Sequence, residues 1–390
     1  MVRKARHQTS SFVFTGNPIV LESEGYPTDP IKGERYTVNL GGEQIYEGRF
    51  YPPMEIDISE IADSASGFFR EPSGASGMPC ELIEMLGTDG ARRKLSVRVE
   101  YNEWDDETFE MTAIPGGIPR QQLRTYVKGG RDAFDSRFCG PACNFFFTSR
   151  TTGWLIEIRE TELYPLYFIS TGQTYIFKSL DGKRITQDLE RGIAALDLEN
   201  LRRAFVREHG ILPSVIDVEI EEGGFSCRIV ITHCEPAKER YRLKFRNSLG
   251  VFEIMEISGK LTEAREFADS EESSYRRRDP ISGRFSNLRE RLEGSRRLEI
   301  TTPLHRGYGS LLADLLASGE VYLLDAFSEA ARVNVSSEQM SLRLLRDEPE
   351  RVTLSMELTD PDLYFGEEIS GPDASKRPRV HSQEFNEPFN

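Results

Sequence analysis

The sequence predicts a mainly β, multi-domain protein, built from antiparallel β-sandwich-type domains with few short helices. Three observations predict this class. Short runs alternate between apolar and polar residues, the period of two that is typical of half-buried strands. Gly-Gly and Asp-Gly turns separate many of these runs. The chain has 390 residues, a length that predicts about two to three domains.

The first domain is predicted over residues 1–118 as an immunoglobulin-like β-sandwich. Alternation over 36–40 leads into Gly41-Gly42, a pair suited to a tight hairpin turn. Short alternating strands with regular turn signals are typical of a sandwich. Two more strands and a Ser/Gly-rich loop are predicted at 54–58, 95–101 and 64–77.

The second domain is predicted over residues 119–240 and is also β-rich. Asp181-Gly182 predicts a hairpin between two apolar runs. Leu198, Leu201 and Phe205 lie three or four residues apart and predict one helix, with Gly210 as its C-terminal stop.

The third domain is predicted over residues 241–369, again β-rich, with a second short helix at 310–317. Within it, 262–295 loses the apolar pattern and is highly charged, which predicts a charged arm. Residues 370–390 are polar and contain proline, a composition that predicts a disordered tail.

The charge balance argues against nucleic acid as a partner. The chain carries 49 basic and 64 acidic residues, a net charge of −15, and an acidic surface repels phosphate. The sequence contains neither a signal-peptide core nor an apolar stretch of about 18–20 residues. We therefore expect folding in the bacterial cytoplasm and no membrane partner.

The cysteines do not predict a metal centre or a disulfide framework. Five cysteines are too few and odd in number, so reduced thiols are expected. Cys227 and His233 would be separated by about 20 Å along one strand, too far to share a zinc ion. The spacing of Cys139 and Cys143 is looser than that of a zinc knuckle. No metal and no cofactor are predicted.

The sequence lacks the motifs that would indicate a catalytic site. No G-x-S-x-G segment occurs, and the histidines lack a nucleophile context. Acidic residues cluster at 105–107 and 219–222, but adjacent acids at predicted turns are typical of solvated surface. The glycines at 307 and 309 precede a helix without a Walker lysine. No catalytic residue is predicted, and the chain is expected not to be an enzyme.

Two groups of side chains remain candidates for binding. The first is a subunit-contact arm, within a segment, 263–299, whose nine acidic and nine basic residues balance. Its residues are Arg276, Arg277, Arg278, Arg284 and Phe285. The second group belongs to an alternative hypothesis, stacking on a sugar ring by Tyr164, Tyr167 and Trp154. Trp154 adjoins alternating apolar residues, a position that favours the core.

Five segments resemble tail- or baseplate-associated structural proteins of prophages in gut bacteria. Residues 15–20 (TGNPIV), 45–48 (IYEG) and 55–61 (EIDISEI) are similar to their N-terminal β-domain. Residues 241–253 (YRLKFRNSLGVFE) resemble a later strand–turn–strand unit, and 311–323 (LLADLLASGEVYL) their closing helix–strand unit. These segments make up 43 of the 390 residues, and the resemblance transfers no active site.

The resemblance implies a structural component of a phage-tail-like or virion-like assembly. Its partners would be other structural proteins of the same assembly, with a homo-oligomer as one arrangement, and its location would be a virion or phage-like particle. The alternative is a carbohydrate- or surface-binding β-sandwich protein, and the second alternative is an uncharacterised hydrolase.

Overall fold

Strands dominate the computed structural model, which confirms the predicted mainly β, multi-sheet class with few short helices. The structure describes residues 5–7, 12–23, 33–51, 54–67, 69–72, 81–86, 93–100, 106–119, 123–124, 146–152, 154–221, 224–234, 239–267, 274–289, 294–304, 308–327, 329–337 and 350–359. The predicted tail, 370–390, lies outside these residues. Among the described helices, none is long and apolar enough to cross a membrane.

The first unit is a sandwich of two sheets. A five-stranded sheet has the order β2-β9-β8-β4-β5 and packs against a three-stranded sheet, β1-β3-β6. The pairs are antiparallel except β2–β9, which is parallel. The elements are β1 (Ala5–His7), β2 (Phe12–Phe14), β3 (Val20–Ser23), β4 (Glu34–Leu40), β5 (Glu43–Phe50), β6 (Met54–Asp57), α1 (Ser59–Ala65), β8 (Arg93–Glu100) and β9 (Glu107–Ile114).

Alternation along β4 and β8 explains the core of this sandwich. Val38 and Val97 face each other across the two strands and are fully buried. Ile58 and Ala62, at α1, contact the same core. The sequence predicts the β4–β5 hairpin at Gly41-Gly42, which is confirmed. Helix α1 was not predicted, because the alternating pattern over 54–58 indicates only a strand.

The second unit combines two sheets and one helix. A six-stranded sheet has the order β10-β11-β17-β16-β13-β14, with β11–β17 parallel, and a three-stranded sheet has the order β12-β15-β7. The elements are β7 (Ile83–Met85), β10 (Thr151–Thr152), β11 (Leu155–Arg159), β12 (Leu166–Thr171), β13 (Thr174–Ser179), β14 (Arg184–Asp188), β15 (Arg191–Leu196), α2 (Leu198–His209), β16 (Val215–Ile220) and β17 (Gly224–Thr232). Strand β7 lies far before the other strands of this unit in the chain, yet it pairs with β15.

Helix α2 begins and ends where the sequence predicts. Asp197 accepts a hydrogen bond from the Asn200 amide at 2.9 Å and caps the N-terminus. Gly210 takes a left-handed conformation with φ 70°, which glycine adopts without steric cost, and ends the helix. The apolar stripe that includes Leu201 and Phe205 is buried in the core of the second unit.

The third unit is one seven-stranded sheet, β19-β18-β24-β25-β26-β23-β20, covered by a helix, α3. A separate two-stranded hairpin, β21–β22, interrupts it between β20 and β23. The elements are β18 (Arg240–Arg246), β19 (Phe252–Ser258), β20 (Thr262–Phe267), β21 (Ser274–Arg278), β22 (Phe285–Arg289), β23 (Gly294–Leu304), α3 (Gly309–Ala317), β24 (Val321–Leu324), β25 (Ala331–Ser336) and β26 (Glu350–Leu358).

The charged segment 262–295 contains regular structure. Its first part is β20, which pairs with β23 at the edge of the sheet. Glu263 and Arg296 form an ion pair of 3.7 Å across these strands, so charged side chains occupy a strand without an apolar pattern. The hairpin β21–β22 is the part of the segment that lies outside the seven-stranded sheet.

The three units share one apolar core, which we call the junction core. Phe14 and Ile114 come from the first unit, Phe147 and Tyr167 from the second, and Leu249 from the third. All five side chains are buried. Burying large side chains between units stabilises their contact because it removes apolar area from water. The described units are therefore joined through a common interior.

Candidate functional site

The turn at 247–250, between β18 and β19, is the point where the three units meet. The Gly117 amide of the first unit donates to the Ser248 carbonyl at 2.7 Å. Asn247 donates its side-chain amide to the Phe147 carbonyl of the second unit at 3.1 Å. Its side-chain oxygen accepts from the Leu249 and Val251 amides and fixes the turn. One buried asparagine therefore orders the turn and ties it to a neighbouring unit.

Gly116 permits the closest backbone approach at this point. Its φ is +89°, and a Cβ atom there would lie 2.5 Å from the Ser248 carbonyl oxygen. Any side chain at 116 would thus be strained and would also push the turn away. The predicted strand–turn–strand at 241–253 is present, and its tight turn contacts the first unit.

A buried ion pair lies beside the turn and links the second and third units. Arg150 donates to Glu162 at 2.7 Å, and both side chains are almost fully buried. Tyr308 of the third unit donates its hydroxyl to the same carboxylate at 2.6 Å. The Glu256 amide donates to it at 2.7 Å. Glu162 therefore accepts three hydrogen bonds, two of them from the third unit.

The pKa values of Arg150 and Tyr308 are both raised in this cluster. Burial lowers the pKa of Arg150, but the Coulomb attraction of Glu162 and Glu253 outweighs it, so the pKa is raised. Burial, followed by the charge of Glu162, raises the pKa of Tyr308. The guanidinium of Arg150 also lies 5.2 Å from the Tyr308 ring centroid. Arg150 thus remains charged and Tyr308 remains a hydrogen-bond donor across ordinary pH.

A second buried carboxylate, that of Glu253 on β19, accepts hydrogen bonds from three residues. Thr148 donates its hydroxyl to Glu253 at 2.5 Å, and Ser149 donates its amide and hydroxyl at 3.2 and 3.0 Å. Asn247 donates at 2.8 Å. Two units therefore supply the donors to one carboxylate, and this group acts as an acceptor that joins them.

Asp314 on α3 is the group in this cluster whose charge changes near neutral pH. Burial, followed by repulsion from Glu253, raises the pKa of Asp314 to about 6. The amide and hydroxyl of Ser248 donate to it at 2.9 and 3.3 Å and oppose the shift. The raised pKa of about 6 means that Asp314 changes its charge as pH passes through this value.

The open spaces beside the junction are lined by paired groups. A cavity of about 430 Å³ lies between the first and third units and is lined in part by Asn17, Asp63 and Arg246. A second, of about 390 Å³, contains Lys244, whose ammonium pairs with Glu71 at 2.7 Å and lies 4.4 Å from the Phe252 ring centroid. The polar groups that line the first cavity have their own partners, since Asn17 bonds to Ile118, Asp63 to Thr15 and Arg246 to Glu320. Such mutual pairing within the fold is the chemistry of a structural contact.

The predicted arm residues come together in the β21–β22 hairpin. Arg276, Arg277, Arg278, Arg284 and Phe285 are all exposed. Arg278 and Phe285 are cross-strand partners, and Arg284 belongs to the turn. The hairpin strands pair with each other and with no other strand that the structure describes. Because successive side chains of a strand point to opposite faces, Arg277 lies on the other face of the hairpin from Arg276 and Arg278.

The three aromatic residues of the alternative hypothesis do not share one surface. Tyr167 is 1% exposed and belongs to the junction core, where its hydroxyl donates to the Arg70 carbonyl at 3.1 Å. Tyr164 is half-buried and donates to Glu71. Trp154 is 54% exposed, so the expectation that it lies in the core is wrong. It precedes β11 rather than continuing it, and Arg228 lies 5.8 Å from its ring centroid.

Cys227, Cys234 and His233 have different surroundings and do not form a metal site among the described residues. Cys227 and Cys234 are free and buried, and burial raises the pKa of the Cys227 thiol. His233 lies beyond the end of β17, where its Nδ1 is 2.7 Å from Glu160. No group of three or more potential metal ligands is found in the part of the chain that the structure describes. Cys139 and Cys143 lie outside that part.

Sequence reasoning missed the buried polar cluster. The sequence indicates a polar turn at 159–162, whereas Glu162 is 2% exposed. Its partners Tyr308 and Glu256 are about 100 residues away or more, so no local pattern marks them. A charged residue between two apolar strands was the one available signal.

Comparison with known proteins identifies no family. No family model matches the chain, and no curated protein matches it. One solved structure that aligns with it is described as a "Ca2+-stabilized adhesin" that "helps an Antarctic bacterium reach out and bind ice". The alignment covers 92% of this chain and 98% of that chain, with 7% identity and a TM-score of 0.15. A TM-score this low supports no inference about this chain.

Proposed function

We propose that the chain is a non-enzymatic structural component of a phage-tail-like or virion-like assembly and acts through protein–protein surfaces. The observation that carries the proposal is the junction, where three β-rich units share one apolar core and one buried polar cluster. Units joined in this way resist relative motion, unlike domains connected by small polar interfaces. Such stiffness suits a part that holds its neighbours at fixed positions.

The chemistry of the junction supports a structural role over a catalytic one. Glu162 and Glu253 are buried, and each accepts several hydrogen bonds from fixed donors. A carboxylate whose lone pairs are filled in this way is a strong structural acceptor. The same bonds leave it little capacity to accept a proton from a substrate.

The surface supports contact with other proteins. The β21–β22 hairpin extends the chain beyond the seven-stranded sheet and exposes arginine and phenylalanine side chains. Arginine and aromatic residues are enriched at protein interfaces. The resemblance of 241–253 and 311–323 to prophage tail proteins is the reason for proposing this class of particle. The partners would be other structural proteins of the same particle.

Co-sedimentation with particles tests the proposal. A tagged copy of the chain would be produced in a bacterium that releases the particles, and the particles would be separated on a density gradient. We expect the chain in the particle band, and we expect deletion of its gene to remove density from particle images. The chain produced alone, without the particles, is the control and should remain at the top. A tagged chain that stays at the top in the producing strain would contradict the proposal.

A further inference from the structure

The β21–β22 hairpin holds two apolar side chains in solvent on an ordered turn. Ile281 is 95% exposed and Phe285 is 68% exposed. Asp279 accepts hydrogen bonds from the Ile281 amide at 3.0 Å and from the Ser282 hydroxyl at 2.5 Å. Because these bonds already order the turn in the free protein, binding of a partner requires little further loss of conformational entropy. A preordered tip that exposes large apolar side chains is suited to insertion into a partner surface.

The hairpin is also the site of a concentrated positive charge. Residues 274–289 contain five arginines and a single acidic residue, Asp279. The Asp279 carboxylate is occupied in the turn, and the hydrogen bond from Ser282 contributes most to lowering its pKa. The whole chain has a net charge of −15. The net charge of the hairpin is therefore positive, whereas the net charge of the whole chain is negative.

The first unit presents a surface of complementary charge. Residues 54–65, which form β6 and α1, contain Glu55, Asp57, Glu60 and Asp63 and no lysine or arginine. All four side chains are exposed, but Asp57 accepts hydrogen bonds from the Ile19 and Ser59 amides, and Asp63 accepts one from the Thr15 hydroxyl. Glu55 and Glu60 are therefore the carboxylates that this segment offers to a partner. Tyr51, which is 48% exposed, precedes this segment closely. We call the exposed residues Glu55 and Glu60, together with Tyr51 just before them in the chain, the acidic face.

We propose that the β21–β22 hairpin of one copy docks on the acidic face of a second copy of this chain. The inference rests on the proposed function and names one of its partners. Opposite charges would steer the encounter, and Ile281 and Phe285 would lose solvent-exposed area near Tyr51. The choice of a second copy follows from charge complementarity between two surfaces of the same sequence.

The contact is heterologous, because the hairpin belongs to the third unit and the acidic face to the first. Each copy would use its hairpin on one neighbour and its acidic face on another. Repetition of such a contact closes into a ring or continues as a filament. Both outcomes are consistent with a repeated part of a particle.

Light scattering coupled to size-exclusion chromatography tests the contact with the full chain. We expect wild-type mass to rise with concentration above that of one chain. The double substitution Ile281→Ser and Phe285→Ser should weaken association about tenfold or more. Leu180→Ser is the matched control, since Leu180 is 67% exposed near another hairpin turn. It should leave the association unchanged.

Charge reversal makes the test specific. The four substitutions Arg276→Glu, Arg277→Glu, Arg278→Glu and Arg284→Glu change the hairpin from five basic and one acidic residue to one basic and five acidic residues. These four together, and separately the pair Glu55→Lys and Glu60→Lys, should each abolish association at low salt. Mixing the two variants should restore it, because the reversed hairpin then meets a reversed face. Circular dichroism would verify that each variant is folded, and a single chain carrying both reversals should associate by itself.

The outcomes separate this inference from the proposed function. Wild-type chain that stays monomeric at every concentration, or reversed variants that associate normally, would overturn the inference. So would mixed variants that fail to associate. If the chain nevertheless co-sediments with particles, its structural role stands and its partner is a different protein. A chain absent from particles contradicts the proposed function irrespective of self-association.

Discussion

Replacement of Glu162 by alanine tests whether the buried polar cluster joins the second and third units. Glu162→Ala leaves Arg150 buried without its 2.7 Å partner and removes the acceptor of Tyr308 and of the Glu256 amide. Breaking a buried ion pair from one side costs about 3–5 kcal/mol when the remaining charge is left unpaired. Because Glu253 stays 3.6 Å from Arg150, we expect the lower end of this range. That is a large part of the stability of a typical domain, about 5–15 kcal/mol.

Two companion substitutions calibrate this value. Tyr308→Phe removes one hydrogen bond to a charged acceptor and should cost about 1.5–3 kcal/mol. Glu199→Ala removes an exposed pair with Arg203 on α2 and should cost less than about 0.5 kcal/mol. Urea denaturation, followed by circular dichroism and by tryptophan fluorescence, measures all three. If Glu162→Ala cost no more than Glu199→Ala, the buried cluster would not contribute to the junction as we describe it.

Three further predictions concern the junction and α2. Asp314 has a folded-state pKa of about 6 against its usual 3.8, so the folded state binds more protons between these values and the free energy of unfolding falls as pH rises from about 4 to 6. Asp314→Asn should remove about 2 kcal/mol of that fall. Urea midpoints of the variant that keep the wild-type dependence on pH would contradict the assignment. Gly116→Ala should destabilise the fold by about 2–4 kcal/mol, because its φ is strained for alanine and its Cβ would overlap the turn. Gly42 has the same φ of +89° with open space around it, so Gly42→Ala should cost only about 1–2 kcal/mol. Equal thermal shifts for the two variants would refute the close approach at Gly116. Asp197→Ala should cost about 1 kcal/mol by removing the cap of α2, and Asp197→Asn, which keeps an acceptor, should recover most of it in the same melting experiment.

The local elements were predictable because their signals are local. The β4–β5 and β13–β14 hairpins follow from Gly41-Gly42 and Asp181-Gly182. Helix α2 follows from its apolar spacing and from Gly210. In each case the residues that determine the geometry lie within one turn or one strand of it. Propensity and periodicity are therefore sufficient there.

The site was less predictable because its partners are distant in sequence. The hairpin arginines are close in sequence and lie in one local element, on both of its faces. The pairing of β7 with β15, the burial of Tyr167 and the contacts of Glu162 all depend on segments that the chain brings together only when folded. Trp154 shows the limit of periodicity, since the pattern of β11 does not extend to the residue before the strand.

The junction has a consequence for the way the chain reaches its folded state during synthesis. Asn17 bonds to Ile118, Thr148 to Glu253 and Lys244 to Glu71, over separations of 101, 105 and 173 residues. High contact order slows folding, because long loops must close before these contacts form. The side chains of Phe14 and Phe147 therefore remain partly exposed to solvent until the segment containing Leu249 has left the ribosome. The junction core can therefore be completed only late in synthesis, after most of the chain has been made.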